Sequence, residues 1–252
     1  VAVLAIGIGV PGAVDSEAGR VVYAANLPLR DFPLVEILQD KYKLPIFMEN
    51  DANAAALAEY QFGAGRGSCN MLFVTVSTGI GAGAVLNGQL YRGSTGNALE
   101  LGHITIAKDG RPCGCGNCGC AELYASGSAI TQIALAAIRA GKATALQENT
   151  LTAERVFAAA AAGDALAAGI VKQALRDLGA CLSVAAGLFD PDVVILGGGV
   201  AQAGELLFTE VERVLQQRCL PPVAAHVKVL PAAFKSEAGV YGAAALAMKG
   251  TE

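Results

Sequence analysis

The chain has 252 residues, 54 % of them hydrophobic, enough apolar material for one large domain or two small ones. Its formal net charge of -4 and sequence pI of about 5.3 exclude a basic nucleic-acid-binding surface on this segment. The apolar opening Val1–Ile6 is broken by Gly7, Gly9, Pro11 and Gly12 and carries no basic leader, so no membrane anchorage is expected from it. Seven cysteines without an even disulfide pattern fit a reducing cytoplasm better than a secreted scaffold.

The chain opens inside an apparent strand without an initiating Met and reads as a piece of a longer protein. Val1–Val10 reads as a buried strand ending in the turn Gly9-Val10-Pro11-Gly12. A loop with Gly19 and Pro28 follows, then an amphipathic helix over Phe32–Tyr42 and a strand over Leu44–Met48. Asn50 or Asp51 stands where a helix N-cap belongs, ahead of the helix Ala52–Tyr60. Gly63–Gly67 reads as a linker or hinge. Asn70–Val76 and Ala82–Leu86 are strands around the turn Ser77-Thr78-Gly79-Ile80-Gly81, and Asn87-Gly88 signals a hairpin. Helices are predicted near Ser126–Ala140, Thr152–Ala162 and Asp164–Leu188. A buried strand Val193–Leu196 ends in Gly197-Gly198-Gly199, followed by a helix Glu205–Gln217, a strand Val227–Leu230 and a closing helix Ala238–Met248. Strands alternating with helices make this an α/β chain.

Cys113, Cys115, Cys118 and Cys120 crowd into eight positions, with His103, one of only two histidines, ten residues upstream of Cys113. Thiolate and imidazole donors at these spacings suit a tetrahedral Zn2+ site, and the glycines between them let the backbone turn sharply. The spacing leaves Cys118 open as a ligand. Cys69, Cys181 and Cys219 are isolated among apolar residues and read as core. His226 and the Lys and Arg residues form no constellation and read as surface. The glycine turns after Ile6–Val10, Val74–Val76 and Val193–Leu196 suit either close approach of phosphate to backbone N–H groups or tight packing of sheet on helix. Asp51 at a strand end suits either an N-cap or a fixed carboxylate base.

Five blocks together resemble the ROK family of repressors, open reading frames and kinases. They are Ile8-Gly9-Val10-Pro11-Gly12; Glu49-Asn50-Asp51-Ala52-Asn53; Ser77-Thr78-Gly79-Ile80-Gly81; Glu100-Leu101-Gly102-His103 with the Cys113–Glu122 run; and Val194–Gly199. The resemblance covers essentially the whole chain and implies a two-lobed actin-like ATPase (ribonuclease H-like) fold. The implied small lobe is 1–66 plus 236–252, incomplete at its N-terminus; the large lobe is 67–235 and carries the zinc-binding loop. Sugar and ATP would meet between the lobes of a homodimeric enzyme.

By the same resemblance, Asp51 is the general base that takes the proton of a sugar hydroxyl during phosphoryl transfer. Asn50, Glu100, His103, Glu122 and Asn26 would contact the sugar, although Asn50 can equally be the helix cap. Thr78, Gly79, Gly198 and Gly199 would bind the nucleotide, with Mg2+ on its phosphates. His103, Cys113, Cys115 and Cys120 would hold a structural zinc that fixes the sugar-binding loop. Two departures stand out. The Asp-x-Gly-Gly-Thr phosphate loop that precedes the first block in family kinases has no counterpart in this chain, so the segment by itself is expected to be inactive. Leu99 replaces the Gly that usually precedes Glu100 and is expected to crowd that loop. The implied function is ATP-dependent phosphorylation of a hexose or N-acetylhexosamine; the alternatives are a sugar-responsive transcriptional repressor of the same family and a degenerate sugar-binding protein. The identity of the sugar, and ATP against polyphosphate as donor, stay open at this level.

Overall fold

The computed structural model describes residues 2–24, 27–235 and 237–250. Strand β1 (Ile6–Val10) leads into a small antiparallel sheet of β2 (Ala13–Asp15), β3 (Arg20–Ala24) and β4 (Leu29–Phe32). Helix α1 (Leu34–Tyr42), strand β5 (Ile46–Asn50) and helix α2 (Asp51–Phe62) follow. The central sheet then begins with β6 (Met71–Val76), β7 (Ile80–Leu86) and β8 (Gln89–Tyr91). Helices α3 (Glu122–Ala125), α4 (Gly127–Arg139), α5 (Ala153–Ala161) and α6 (Ala165–Phe189) come next. The chain closes through β9 (Val193–Gly197), α7 (Glu205–Arg218), α8 (Pro221–His226), β10 (Lys228–Pro231) and α9 (Ala238–Lys249).

The central sheet has the order β10-β9-β6-β7-β8, with β10, β9 and β6 parallel and β7 and β8 antiparallel. Its inner strands β6, β7 and β9 are almost wholly apolar because both faces are covered, whereas the edge strands β8 and β10 expose every residue but Leu90 and Val229; the period of two divides the inner side chains between two layers. Leu72, Val74, Val194 and Leu196 face the layer of α6, where Leu175, Leu178 and Leu182 are buried. Met71, Phe73, Val193 and Ile195 point the other way, onto Ala55 and Ala56 of α2. Helix α2 therefore lies between this sheet and the parallel β1–β5 pair, which explains its near-continuous alanine face, Ala52 and Ala54–Ala58 all being buried. Small residues let its neighbours come close: a Cβ on Gly242 of α9 would lie 2.3 Å from the Ala54 carbonyl oxygen.

The predicted helices are present, with Ser126, Thr152 and Asp164 as side-chain caps of α4, α5 and α6. Asn87 and Gly88, at φ 52° and 75°, form the expected hairpin turn between β7 and β8. Several expectations are corrected. The first strand begins at Ile6, and Val3 and Leu4 before it are exposed; Val1 lies outside the described residues. The segment read as a loop with Gly19 and Pro28 is the β2–β3–β4 sheet, whose short strands bury Val14, Val21 and Ala24 with Val10 and Met48. Phe32 belongs to β4, and α1 starts after Pro33. β5 begins at Ile46, one residue beyond Pro45, which has no N–H to give a ladder. Among the described residues no single helix is long and apolar enough to cross a membrane.

Candidate functional site

Asp51 is the first residue of α2, at the end of β5. Asn50 is the cap: its Oδ1 accepts the Ala52 and Asn53 N–H groups at 2.9 and 3.2 Å, and its Nδ2 donates to the Gly12 carbonyl at 3.0 Å. Asp51 is thereby left uncapped by duty, although its own Oδ1 also accepts the Ala52 N–H at 2.8 Å. Asp51 itself is exposed to solvent. Desolvation by the surrounding protein nonetheless pushes the Asp51 carboxyl above the ordinary carboxylate range, against the lowering effect of the backbone hydrogen bond.

The turn 77–81 joins every other part of the site. On one side a Cβ on Gly81 would sit 3.5 Å from the Ala52 Cβ, so the turn packs against the start of α2. On another, the Ser77 and Thr78 carbonyls accept the Gly127 and Ser128 N–H groups at 2.7 and 3.3 Å. Gly198, at φ 85°, comes so near that a Cβ would lie 2.4 Å from the Val76 carbonyl oxygen; only glycine fits there. Between these elements is a cavity of about 840 Å³. Thr78, Ser77 and Gly199 line one end, Leu151, Phe157 and Val200 give it apolar walls, and Gln132, Glu154 and Gln202 add polar groups. Of the residues expected to bind nucleotide, Gly79 and Gly198 are not among those lining the cavity: Gly79 faces the Glu122 carboxylate and Gly198 packs on Val76.

Glu122 and Gly102 meet the same turn from the cysteine-rich side. Glu122 Oε2 accepts the Ile80 N–H at 2.9 Å. Gly102, midway between Glu100 and His103, lies against the Ile80 carbonyl, which a Cβ there would approach to 2.5 Å. Glu100 precedes the 3-10 turn Leu101–His103; its carboxylate is exposed and caps nothing.

His103, Cys113, Cys115 and Cys120 converge, with their ligand atoms all within 4.8 Å of one another. His103 Nδ1 is 3.7 Å from Cys113 Sγ, and Cys115 Sγ is 3.6 Å from Cys120 Sγ. Those separations match the edge of a tetrahedron of zinc–thiolate bonds, roughly 3.8 Å for bonds of about 2.3 Å. Burial, followed by the neighbouring Cys113 and Cys115 thiols, pushes Cys120 up to about 12, so a cation is what would ionise these donors together. Gly119, at φ 71°, makes the bend possible, since a Cβ would lie 1.8 Å from the Ala107 carbonyl oxygen. Cys118, left open as a ligand by its spacing, is exposed and outside the cluster. The donor set fits zinc.

Other residues are placed differently from expectation. Asn26 lies outside the described residues. Cys69 is exposed, not core; its N–H and that of Asn70 both donate to Asp192 Oδ2 at 2.8 Å, tying the chain entering β6 to the residue before β9. His226 is at the surface but partnered, its Nε2 3.1 Å from Asp192 Oδ1. Two charged groups that the sequence did not single out are fully buried: Glu49, paired with Arg92, and Glu59, which accepts the Ala64, Ala233 and Phe234 N–H groups. The signal for Glu49 was a carboxylate directly after the apolar run Ile46–Met48, still within a buried strand period.

Leu99, the residue before Glu100, has φ 65°, a conformation costly for a side chain with a Cβ. Its side chain packs against the main core, so the replacement of glycine shows as backbone strain rather than as crowding of Glu100.

Comparison with known proteins bears on the chain as a whole. The chain is 39 % identical over 245 residues to a glucokinase of Halalkalibacterium halodurans, covering 95 % of this chain and 74 % of the relative. It superposes on a Streptomyces griseus ROK family glucokinase in complex with glucose and AMPPNP with a TM-score of 0.85 and 37 % identity, over 98 % of this chain and 82 % of that one. A ROK family transcriptional regulator, a homologue of the E. coli MLC protein, matches with a TM-score of 0.90 and 36 % identity. That match covers 96 % of this chain but only 62 % of the regulator. The fold is thus the α/β actin-like ATPase fold of these proteins. With the ROK family model matching residues 1–250, the chain belongs to the ROK family.

Proposed function

We propose that the chain is the catalytic part of an ATP-dependent sugar kinase that phosphorylates a hexose or N-acetylhexosamine on its 6-hydroxyl. The observation that carries this reading is the turn 77–81, which packs on the Asp51 helix start on one side and ends the large cavity on the other. A base and a nucleotide site would then share one rigid element, as in-line transfer needs. The hydroxyl oxygen attacks the γ-phosphorus, Asp51 takes the hydroxyl proton, and the bond to the β-phosphate oxygen breaks to release ADP. A carboxyl pushed above its ordinary range is better matched to that proton. The apolar walls of the cavity suit a heterocyclic base and so favour ATP, carried with Mg2+, over polyphosphate.

The hydrogen-bond inventory supports the proposed sugar contacts. Asn50 has one Nδ2 hydrogen left after its cap and its bond to Gly12. Glu122 keeps Oε1 free, and Glu100 both oxygens. His103 turns Nδ1 toward Cys113 and leaves Nε2 for a hydroxyl. The four-donor shell has no open position, so zinc held there would brace the loop and not activate water. The proposed lobes remain 1–66 with 236–252, and 67–235, and the family likeness supports a homodimer.

The test is ADP release by the full-length protein across a panel of hexoses and N-acetylhexosamines, beside Asp51→Asn. Turnover on one sugar, lost in the variant, is expected. The closeness of the regulator structure supports a second reading, a sugar-responsive regulator. Sugar binding by calorimetry with no ADP release on any sugar would favour that reading and overturn the kinase.

A further inference from the structure

Glu49 sits two residues before Asp51 with its side chain wholly buried. Its Oε1 accepts the Asn50 N–H at 3.0 Å and the Asn53 Nδ2 at 3.1 Å. Its Oε2 is 2.5 Å from Arg92 Nε. Asn50, just before Asp51, and Asn53, two residues after it, are therefore hung on one carboxylate, and that carboxylate takes its countercharge from Arg92. Arg92 follows β8, and its side chain is 41 % exposed, so one end of the guanidinium faces solvent. Its carbonyl accepts the Ala98 N–H at 3.1 Å, closing the loop that leads to Leu99 and Glu100. One residue thus grips the base-bearing segment with its side chain and the Glu100-bearing loop with its main chain.

We propose that Arg92 is a positioning residue that couples the Asp51 segment to the loop carrying Glu100, acting through Glu49. The inference rests on Asp51 being the base. Without the guanidinium, the buried Glu49 carboxylate loses its countercharge and keeps only the Asn50 N–H and the Asn53 amide as partners. The ion pair that fixes Oε2 is then gone, and the carboxylate is free to turn away from the position in which its Oε1 holds the Asn50 N–H and the Asn53 amide. The Asp51 carboxylate then loses its registration against the acceptor hydroxyl, and a shift of about 1 Å in such a group costs on the order of 100-fold in rate.

The experiment is a set of full-length variants, Arg92→Ala, Arg92→Lys, Glu49→Gln and the Arg92→Ala/Glu49→Gln pair, read two ways. The first is steady-state phosphorylation of the sugar that the wild type turns over. Arg92→Ala is expected to lose about 100-fold in kcat with little change in nucleotide KM. Arg92→Lys should fall between it and the wild type. Added guanidinium should recover at least about tenfold in Arg92→Ala, because the emptied position reaches solvent. In the Glu49→Gln background, Arg92→Ala should cost almost nothing more. The second reading is amide hydrogen exchange, which needs no turnover. Arg92→Ala should speed exchange both at Asn50–Asn53 and at 98–100, and Arg92→Gln serves if Arg92→Ala does not fold. Wild-type kcat in Arg92→Ala, equal losses in both backgrounds, or unchanged exchange at Asn50–Asn53 would overturn the coupling. Absence of turnover in the wild type would instead overturn the Asp51 reading, and the exchange result would still decide the link.

Discussion

Glu122 Oε2 accepts the Ile80 N–H at 2.9 Å, and so binds the residue that follows Cys120-Ala121 to the turn that ends the large cavity. A Cβ placed on Gly79 would lie 2.3 Å from the same oxygen. Gly79→Ala is therefore expected to push the carboxylate off Ile80 and loosen the turn. Affinity for a non-hydrolysable ATP analogue should fall about tenfold, the loss of roughly one charge-assisted hydrogen bond. Glu122→Ala should do the same, and adding Gly79→Ala to it should change little, because the clash is gone. Calorimetric Kd values for the four proteins check this; additive losses would show that the two positions act separately.

The metal shell makes a sharp division among neighbouring thiols. Cys113→Ser and Cys120→Ser are expected to cut bound zinc well below about one equivalent per chain and to lower Tm, whereas Cys118→Ser should retain it. Elemental analysis of the purified proteins, with melts before and after a strong chelator, measures both. Zinc loss in Cys118→Ser equal to that in Cys113→Ser would mean that the ligand set is wrong.

These two sites show what a linear sequence carries. The cysteine cluster was legible because its donors lie close along the chain and because few other folds crowd soft ligands so tightly. Capped helices were legible too: Ser126, Thr152 and Asp164 each precede an apolar-periodic run and each caps it. The β2–β3–β4 sheet was not, since strands of three to five residues broken by Gly19 hold too few periods to stand out. Nor was the Glu49–Arg92 pair, whose partners are 43 positions apart and meet only once β5 and β8 are placed. Asn50 was ambiguous for another reason: capping and sugar binding ask for the same side chain, and only geometry counts its remaining hydrogen bonds.

Asp51 gives a pH signature with a definite sign. Its folded pKa is raised by desolvation, so the folded state holds this proton more tightly than the unfolded one. Stability is then lost as pH climbs from the unfolded value of about 3.9 through the raised folded value, and stays lost above it. Asp51→Asn, which keeps Oδ1 for the Ala52 N–H, should melt higher than the wild type at pH 7. The gap should close as pH falls through that window. In kinetics, the acidic limb of kcat should lie above the ordinary carboxylate value. A gap in Tm that is independent of pH would show that Asp51 titrates as an ordinary surface acid.

Leu99 carries its strain in the backbone, so the usual ranking of glycine and alanine should invert there. At φ 65°, Leu99→Gly is expected to be more stable than Leu99→Ala by about 1 kcal/mol, because both lose the same core contacts and only Gly sheds the left-handed penalty. At an ordinary position Ala would be the more stable by about 0.4–1 kcal/mol. Urea unfolding of the two variants decides the order.

Glu59 is a buried carboxylate with no cation beside it among the described residues; backbone N–H groups satisfy it instead. Oε2 accepts Ala64 and Ala233 at 2.9 and 3.1 Å, and Oε1 accepts Phe234 at 2.9 Å. Its main-chain carbonyl also takes the Gly63 and Gly65 N–H groups. One residue of α2 therefore holds the chain leaving that helix together with the distant segment 233–234. Glu59→Ala strands three donors at once and should cost about 3 kcal/mol or more. Glu59→Gln keeps one acceptor oxygen but sets an NH2 group against at least one N–H, so about 1–3 kcal/mol is expected. The amide and alanine variants should thus separate clearly in urea midpoint at constant m. Equal midpoints for the two would mean that water replaces the carboxylate in either case and that the three N–H groups do not depend on it.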